Sequence, residues 1–172
     1  RAPVSIYVGF AGMLVGIAIG LPAAILSAIR PGSKLDISST VLGLAGIAIP
    51  GFWLALILIY VFGVYLRWLP PSGYTPPGED LGLSLKMLIM PAIVLGTSSA
   101  AVIMRQARSS LIEVLEQDYI TVARAKGVLE RRVIASHAMK NAMIPVFTII
   151  GLQVGNLVSG AAIAETVFAI PG

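Results

Sequence analysis

The 172-residue chain contains no cysteine and a single histidine, His137. Disulfides, thiol catalysis and thiolate metal sites are therefore excluded within it, and histidine-built metal clusters are not expected. Charge is almost as scarce. Charged residues make up 12% of the sequence, against about 25% in a soluble domain, while hydrophobic residues reach 57%. That leaves too little polar surface to cover a water-soluble globule. A G-x-x-x-x-G-K-[ST] phosphate loop is also missing, so ATP hydrolysis by that chemistry is not expected of this chain.

What the sequence has instead is length without charge. A transmembrane helix needs about 20 mostly apolar residues to cross a hydrocarbon core of about 30 Å. Four stretches qualify, at about residues 4–29, 41–66, 85–104 and 142–164, and none holds Asp, Glu, Lys or Arg away from its ends. The prediction is an all-α membrane protein with one transmembrane domain over residues 1–172. A buried bundle in a large soluble protein is the alternative, but all-round hydrophobicity on this scale leaves no outer face. The first stretch is too long for the apolar core of a signal peptide and has no basic lead.

The formal net charge of +4 raises nucleic acid as a partner, but the distribution of charge argues for membrane orientation instead. Arg30, Lys34, Arg105, Arg108, Arg124, Lys126, Arg131, Arg132 and Lys140 fall in the first and third connections; Arg1, Arg67 and Lys86 fall on the other side. Nine against three places the first and third connections in the cytoplasm and both ends outside. The abrupt start at Arg1-Ala2-Pro3 and the stop at Ile170-Pro171-Gly172, a turn signal, are expected of the interior of a longer protein.

Small residues repeat every four positions, as Gly12, Gly16 and Gly20 in the first span and Gly151, Gly155 and Ser159 in the last, the spacing that lets helices pack closely. Pro22, Pro50 and Pro91 fall within spans and predict kinks; Pro145 sits near the start of the last. Gln153 and Asn156 share one helical face with Gly160, and either line a solute path together with Ser159 or hydrogen-bond between helices. Thr97, Ser98 and Ser99 carry the same two readings, with bonding back to their own helix a third. The Pro- and Gly-rich run from Pro70 to Gly78 predicts a semi-rigid external loop.

The densest cluster of charge lies between Arg105 and Lys140. Asp118 can cap a short helix, and Gly127 can end it in the left-handed conformation. A second short helix is expected to follow, with Val133, Ile134, His137, Ala138 and Asn141 along one side. Two short helices meeting at a glycine hinge across the mouth of a bundle could fill a partner's groove.

The run Tyr119-Ile120-Thr121-Val122-Ala123-Arg124-Ala125-Lys126-Gly127, followed by Glu130-Arg131-Arg132-Val133 and by His137 to Pro145, resembles the cytoplasmic coupling loop of ATP-binding-cassette importer permeases, in the dipeptide, oligopeptide, nickel and glutathione branch. Pro50 to Leu54, Leu69 to Tyr74, and Glu165 to Phe168 with Pro171-Gly172 look like further landmarks of that family, in order along nearly the whole chain. The chain departs from the general importer signature in three places. Thr121-Val122-Ala123 stands where that signature begins Glu-Ala-Ala, Lys140 stands at its later proline, and Leu129 stands where many relatives offer a capping Ser.

The resemblance implies the second to fifth of six spans in the permease subunit of an ATP-driven importer for a small solute, with a di- or oligopeptide favoured. It implies insertion of the 118–141 loop into a cytoplasmic ATPase. Tyr119, Ala123, Arg124, Ala125, Lys126, Gly127, Glu130 and Arg131 then serve as coupling residues. A second homologous permease, an extracytoplasmic solute-binding protein and the lipid bilayer are the remaining implied partners. ATP and magnesium are expected on the partner ATPase, with no cofactor, metal or catalytic residue in this chain. The implied location is a bacterial or archaeal cytoplasmic membrane. A secondary transporter or channel fragment is the alternative, weakened by the lack of intramembrane carboxylates. A serine protease pairing Ser159 or Ser99 with His137 is weaker still, because His137 lies in the basic segment away from both span interiors.

Overall fold

A computed structural model describes residues 2–171, with every side chain except those of Ala2, Pro3 and Val158. Arg1, counted above on the outer side, and Gly172, one of the family landmarks, lie outside the described residues. Those described form helices and turns, with no strand among them. Helix α1 is Ala2–Ile29, α2 is Lys34–Ala48 and α3 is Gly51–Leu58, which continues as a π-helical turn over Ile59–Tyr65. Helix α4 is Leu81–Leu115 and α5 is Asp118–Ala125. The short α6, Glu130–Arg132, runs through a π-helical turn, Val133–Ala138, into α7, Met139–Phe168.

Proline acts differently at different sites. Pro22, Pro91 and Pro145 lie inside α1, α4 and α7 without ending them. At Pro50 the chain turns through 100°, so the expected span 41–66 is two helices rather than one. Ile49 is extended there (φ −77°, ψ 119°), because the residue before a proline is forced out of the helical region, and Pro50 has no N–H to continue the ladder. Three helical segments are long and apolar enough to cross a membrane on their own, Val4–Ile29, Leu81–Leu115 and Glu130–Leu157, and the bent pair supplies a fourth if it is taken as one span.

The other boundaries also move. The expected span 85–104 lies inside the 35-residue α4. At 1.5 Å per residue this helix is about 52 Å long, so it outruns a hydrocarbon core of about 30 Å by about four turns. Its surplus carries Arg105, Arg108 and Glu113, residues first assigned to the loop 105–141. The expected span 142–164 is likewise the middle of α7.

The core runs along a seam between α1 and α4. A Cβ on Gly12 would stand 2.7 Å from Leu95 Cβ, one on Gly16 2.9 Å from Ser99 Cβ, and one on Gly20 2.7 Å from the Ala100 carbonyl oxygen. Gly96 answers from α4, where a Cβ would meet Val15 Cγ1 at 2.6 Å. These contacts leave no room for a methyl group, so glycine sets the interhelical distance. Val8, Leu95, Ile103, Val146, Leu157 and Phe168 fill the surrounding core, with α7 as the third wall.

The second small-residue row behaves otherwise. Gly151 and Gly155 have nothing within 4 Å of a Cβ, so they do not pack helices within this chain. The inward face of α7 is carried instead by Val146, Gln153, Leu157, Ala161 and Ala164, leaving the glycines on the outward side.

The two ends of the bundle differ. At one end the Pro-rich loop docks back: Gly73 N–H donates to the Phe168 carbonyl (2.9 Å), and Pro71 lies against Gly63. At the other end lie the α1–α2 turn and α5. The connections with most of the basic residues thus share one end, in agreement with the charge count.

Substituting the seam gives a direct check. Gly20→Val or Gly96→Val should cost about 1–3 kcal/mol through overpacking, seen as a lower unfolding temperature in detergent. Gly151→Ala and Gly155→Ala should leave it within about 0.5 kcal/mol or raise it. Equal effects at both rows would contradict the seam.

Candidate functional site

At the arginine-rich end, α5 is held by its own ends and by the bundle. Asp118 is the first helical residue rather than the cap; Gln117 takes the cap position, extended at ψ 148° and without a side-chain bond. The C-terminus is better built. Gly127 adopts φ +76°, its N–H donates to Arg124 O (2.9 Å), and Val128 N–H donates to Ala123 O (3.2 Å). This paired closure satisfies two carbonyls left over at the helix end and needs a residue that tolerates the left-handed region.

Beyond Gly127 the chain does not form a separate second helix. Leu129 caps α6 without a side-chain bond, and α6 flows through the π-helical turn into α7. The cap that a serine would give is replaced by an ion pair across the hinge. Arg124 donates from Nη2 to Glu130 Oε1 (2.7 Å) and from Nε to Oε2 (3.1 Å). The Glu130 carboxylate raises the Arg124 guanidinium above its ordinary pKa, so the arginine stays charged. Tyr119 ties the start of α5 to α7: its hydroxyl accepts from Asn141 Nδ2 (2.8 Å) and donates to the His137 carbonyl (3.4 Å).

Burial divides the motif into two faces. Ile120 and Ala123 are buried in a cluster with Ala28 of α1, Leu111 of α4, and Val133, Ala138 and Ala142 at the start of the last helix. Ala123 therefore faces its own bundle, which removes it from a partner-contact surface. Val122 (51% exposed), Leu129 (78% exposed), Arg124, Ala125, Lys126 and Arg131 face outward, and Tyr119 is 41% exposed. Two exposed apolar side chains, Val122 and Leu129, thus share this segment with exposed basic ones.

The polar residues of the last span separate in the same way. Asn156 Nδ2 donates to Gln153 Oε1 (2.7 Å), so the two amides pair along α7. Gln153 is buried, whereas Asn156 and Ser159 are exposed, and the Ser159 hydroxyl donates to Gly155 O (3.4 Å). Thr97 and Ser98 bond back to Ile93 O and Leu95 O on their own helix. Ser159 lies 22 residues beyond His137, or about 33 Å along a helix at 1.5 Å per residue, which removes that protease pair. Among the described residues no three His, Asp or Glu side chains could hold a metal ion.

One constellation was not foreseen. Asp36, in the first turn of α2, is buried and accepts four hydrogen bonds. Arg108 of α4 donates from Nε to Oδ1 (2.7 Å) and from Nη2 to Oδ2 (2.8 Å), Gly32 N–H donates to Oδ2 (2.8 Å), and the Ser27 hydroxyl donates to Oδ1. Arg108 Nε also reaches Ser27 Oγ at 2.8 Å. A signal existed: Ser33-Lys34-Leu35-Asp36 has capping-box spacing, and Asp36 is the sole acidic residue before Glu79.

A helical membrane bundle with this capped basic element at one end defines a class. Residues 16–172 match the binding-protein-dependent transport system inner membrane component family, and the chain belongs to it. It is 47% identical to a Brucella suis protein named as a peptide permease, over 94% of this chain and 51% of that protein. It is 40% identical to the dipeptide transport system permease protein of Escherichia coli K12, over all of this chain and 58% of the relative. The oligopeptide transport system permease protein of Bacillus subtilis is 39% identical, over all of this chain and 55% of its own length. The chain spans about half the length of these relatives.

The glycine cap can be tested alone. Gly127→Ala should cost about 1–2 kcal/mol at a left-handed position, read as faster tryptic cleavage after Lys126 in membranes. Gly127→Asn should recover part of the loss. An unchanged cleavage rate in Gly127→Ala would refute the cap.

Proposed function

We propose that this chain is the core of a permease subunit in an ATP-driven importer, forming part of the path for a small solute. The observation that carries this reading is the outward face of the capped α5–α6 element, within a chain of this family. Val122 and Leu129 are exposed apolar side chains in a segment that also exposes Arg124, Lys126 and Arg131, a surface suited to a groove on a cytoplasmic ATPase. The ATPase would bind ATP and magnesium. Movement of the docked element would then shift α4 and α7, between which it is held, and change which side of the bundle is open.

The names of the relatives favour a di- or oligopeptide as the solute. A second homologous permease and an extracytoplasmic binding protein complete the proposed assembly. The outward side of α7 with Asn156, Ser159 and the open Gly151 and Gly155 is suited to face that second permease across the path, with Gln153 orienting Asn156 from below.

The test separates the two faces of α5. In complexes reconstituted with the companion subunits, Leu129→Glu should leave the permease folded and inserted but lower ATPase co-purification by about tenfold, the effect of about 1.4 kcal/mol. Ala123→Asp should instead place a charge in the bundle's own core and destabilise the permease itself. Full ATPase binding by a correctly inserted Leu129→Glu variant would sink the coupling role.

A further inference from the structure

Helix α2 is the loosely held member of the bundle. It is separated from α3 by the 100° break at Pro50, and it leaves two clefts against its neighbours. One, of about 290 Å³, lies between α1, α2 and α4 and is lined by Ile19, Leu42, Gly43 and Met104 among others; another, of about 320 Å³, lies between α2 and α4. Asp36 is the one buried residue of α2, so side-chain packing does not lock α2 as the glycine seam locks α1 to α4. Among the described residues, the side-chain hydrogen bonds that join α2 to other helices all converge on Asp36.

Two of the residues that hold Asp36 are chain neighbours of residues in the cluster that buries the coupling element. Ser27 adjoins Ala28, and Arg108 lies one turn before Leu111 on the same side of α4. Ala28 of α1 and Leu111 of α4 belong to the same buried cluster as Ile120 and Ala123 of α5. A displacement of α5 thus acts on the two turns whose side chains grip Asp36. Such a pair carries direction well, because the bidentate arginine and the fully used carboxylate fix one geometry. Its net contribution to stability is small, since desolvation offsets the attraction.

We propose that the Ser27–Asp36–Arg108 node is a positioning device that transmits movement of the coupling element to α2, swinging it about Pro50. The proposal rests on the coupling reading above and adds residues that touch neither solute nor ATPase. Ser27 and Arg108 act through Asp36, and Asp36 acts on α2.

The experiment uses the complete importer with its companion subunits and a binding protein loaded with a mixed dipeptide pool. Asp36→Asn, Arg108→Lys and Ser27→Ala are each assayed for subunit content and for hydrolysis with and without loaded binding protein. The expected result is normal assembly and basal hydrolysis, with the stimulated-to-basal ratio reduced about fivefold or more. Full stimulation, or basal and stimulated rates falling together, would overturn the proposal. If the two charge variants do not assemble, Ser27→Ala decides, because it keeps the ion pair: reduced stimulation supports transmission and full stimulation refutes it. Leu129→Glu runs alongside. Unimpaired ATPase binding in that variant would refute the coupling reading and the proposal with it, whereas a binding defect there with full stimulation in the node variants would refute the node alone.

Discussion

The close approach of α1 and α4 is the constraint on which the other positions depend. Without side chains at Gly12, Gly16, Gly20 and Gly96, the two helices come near enough that a Cβ on Gly20 would stand 2.7 Å from the Ala100 carbonyl oxygen and one on Gly96 2.9 Å from that of Gly12. In a bilayer, lipid tails are as apolar as the side chains, so close packing rather than hydrophobic burial holds helices together. The seam makes one rigid pair, and that pair runs on past the hydrocarbon region as the last turns of α4. Those turns carry Arg108 and Leu111, so their placement follows from the glycines far below them.

Two kinds of anchoring meet at the arginine-rich end. Helix α5 is held by apolar contact, through Ile120 and Ala123, and by a cap that only a left-handed residue can close. The α1–α2 turn is held by polar contact, through one aspartate with four donors. Apolar contact tolerates sliding, whereas a bidentate ion pair fixes direction. The division suits an element that must rock on the bundle while passing a defined displacement onward.

Much of this was legible in the sequence, and the exceptions have physical causes. Spans follow from composition, and the cap at Gly127 follows from a glycine between two helical patterns. The first glycine row was readable as a packing face because its period matches the helix. The second has the same period but faces outward, since spacing says which residues share a face and not what lies opposite. Ala123 was misplaced for a related reason: motif membership does not say whether a side chain points to the partner or to its own bundle. Pro50 was expected to kink a span and instead divides it, because Ile49 is driven fully into the extended region. Asp36 and Arg108 are 72 residues apart, and no local pattern could pair them.

The proposed coupling element turns one face to its own bundle, and the proposal gives its other face to an ATPase. Thiol accessibility in inside-out membranes measures this, with single cysteines introduced as Val122→Cys, Ala123→Cys and Leu129→Cys among 172 residues that hold no cysteine of their own. Rapid labelling is expected at positions 122 and 129, lost when the ATPase is bound, with slow labelling at 123 in both states. Rapid labelling at 123, protected by the ATPase while 122 and 129 are unaffected, would contradict it.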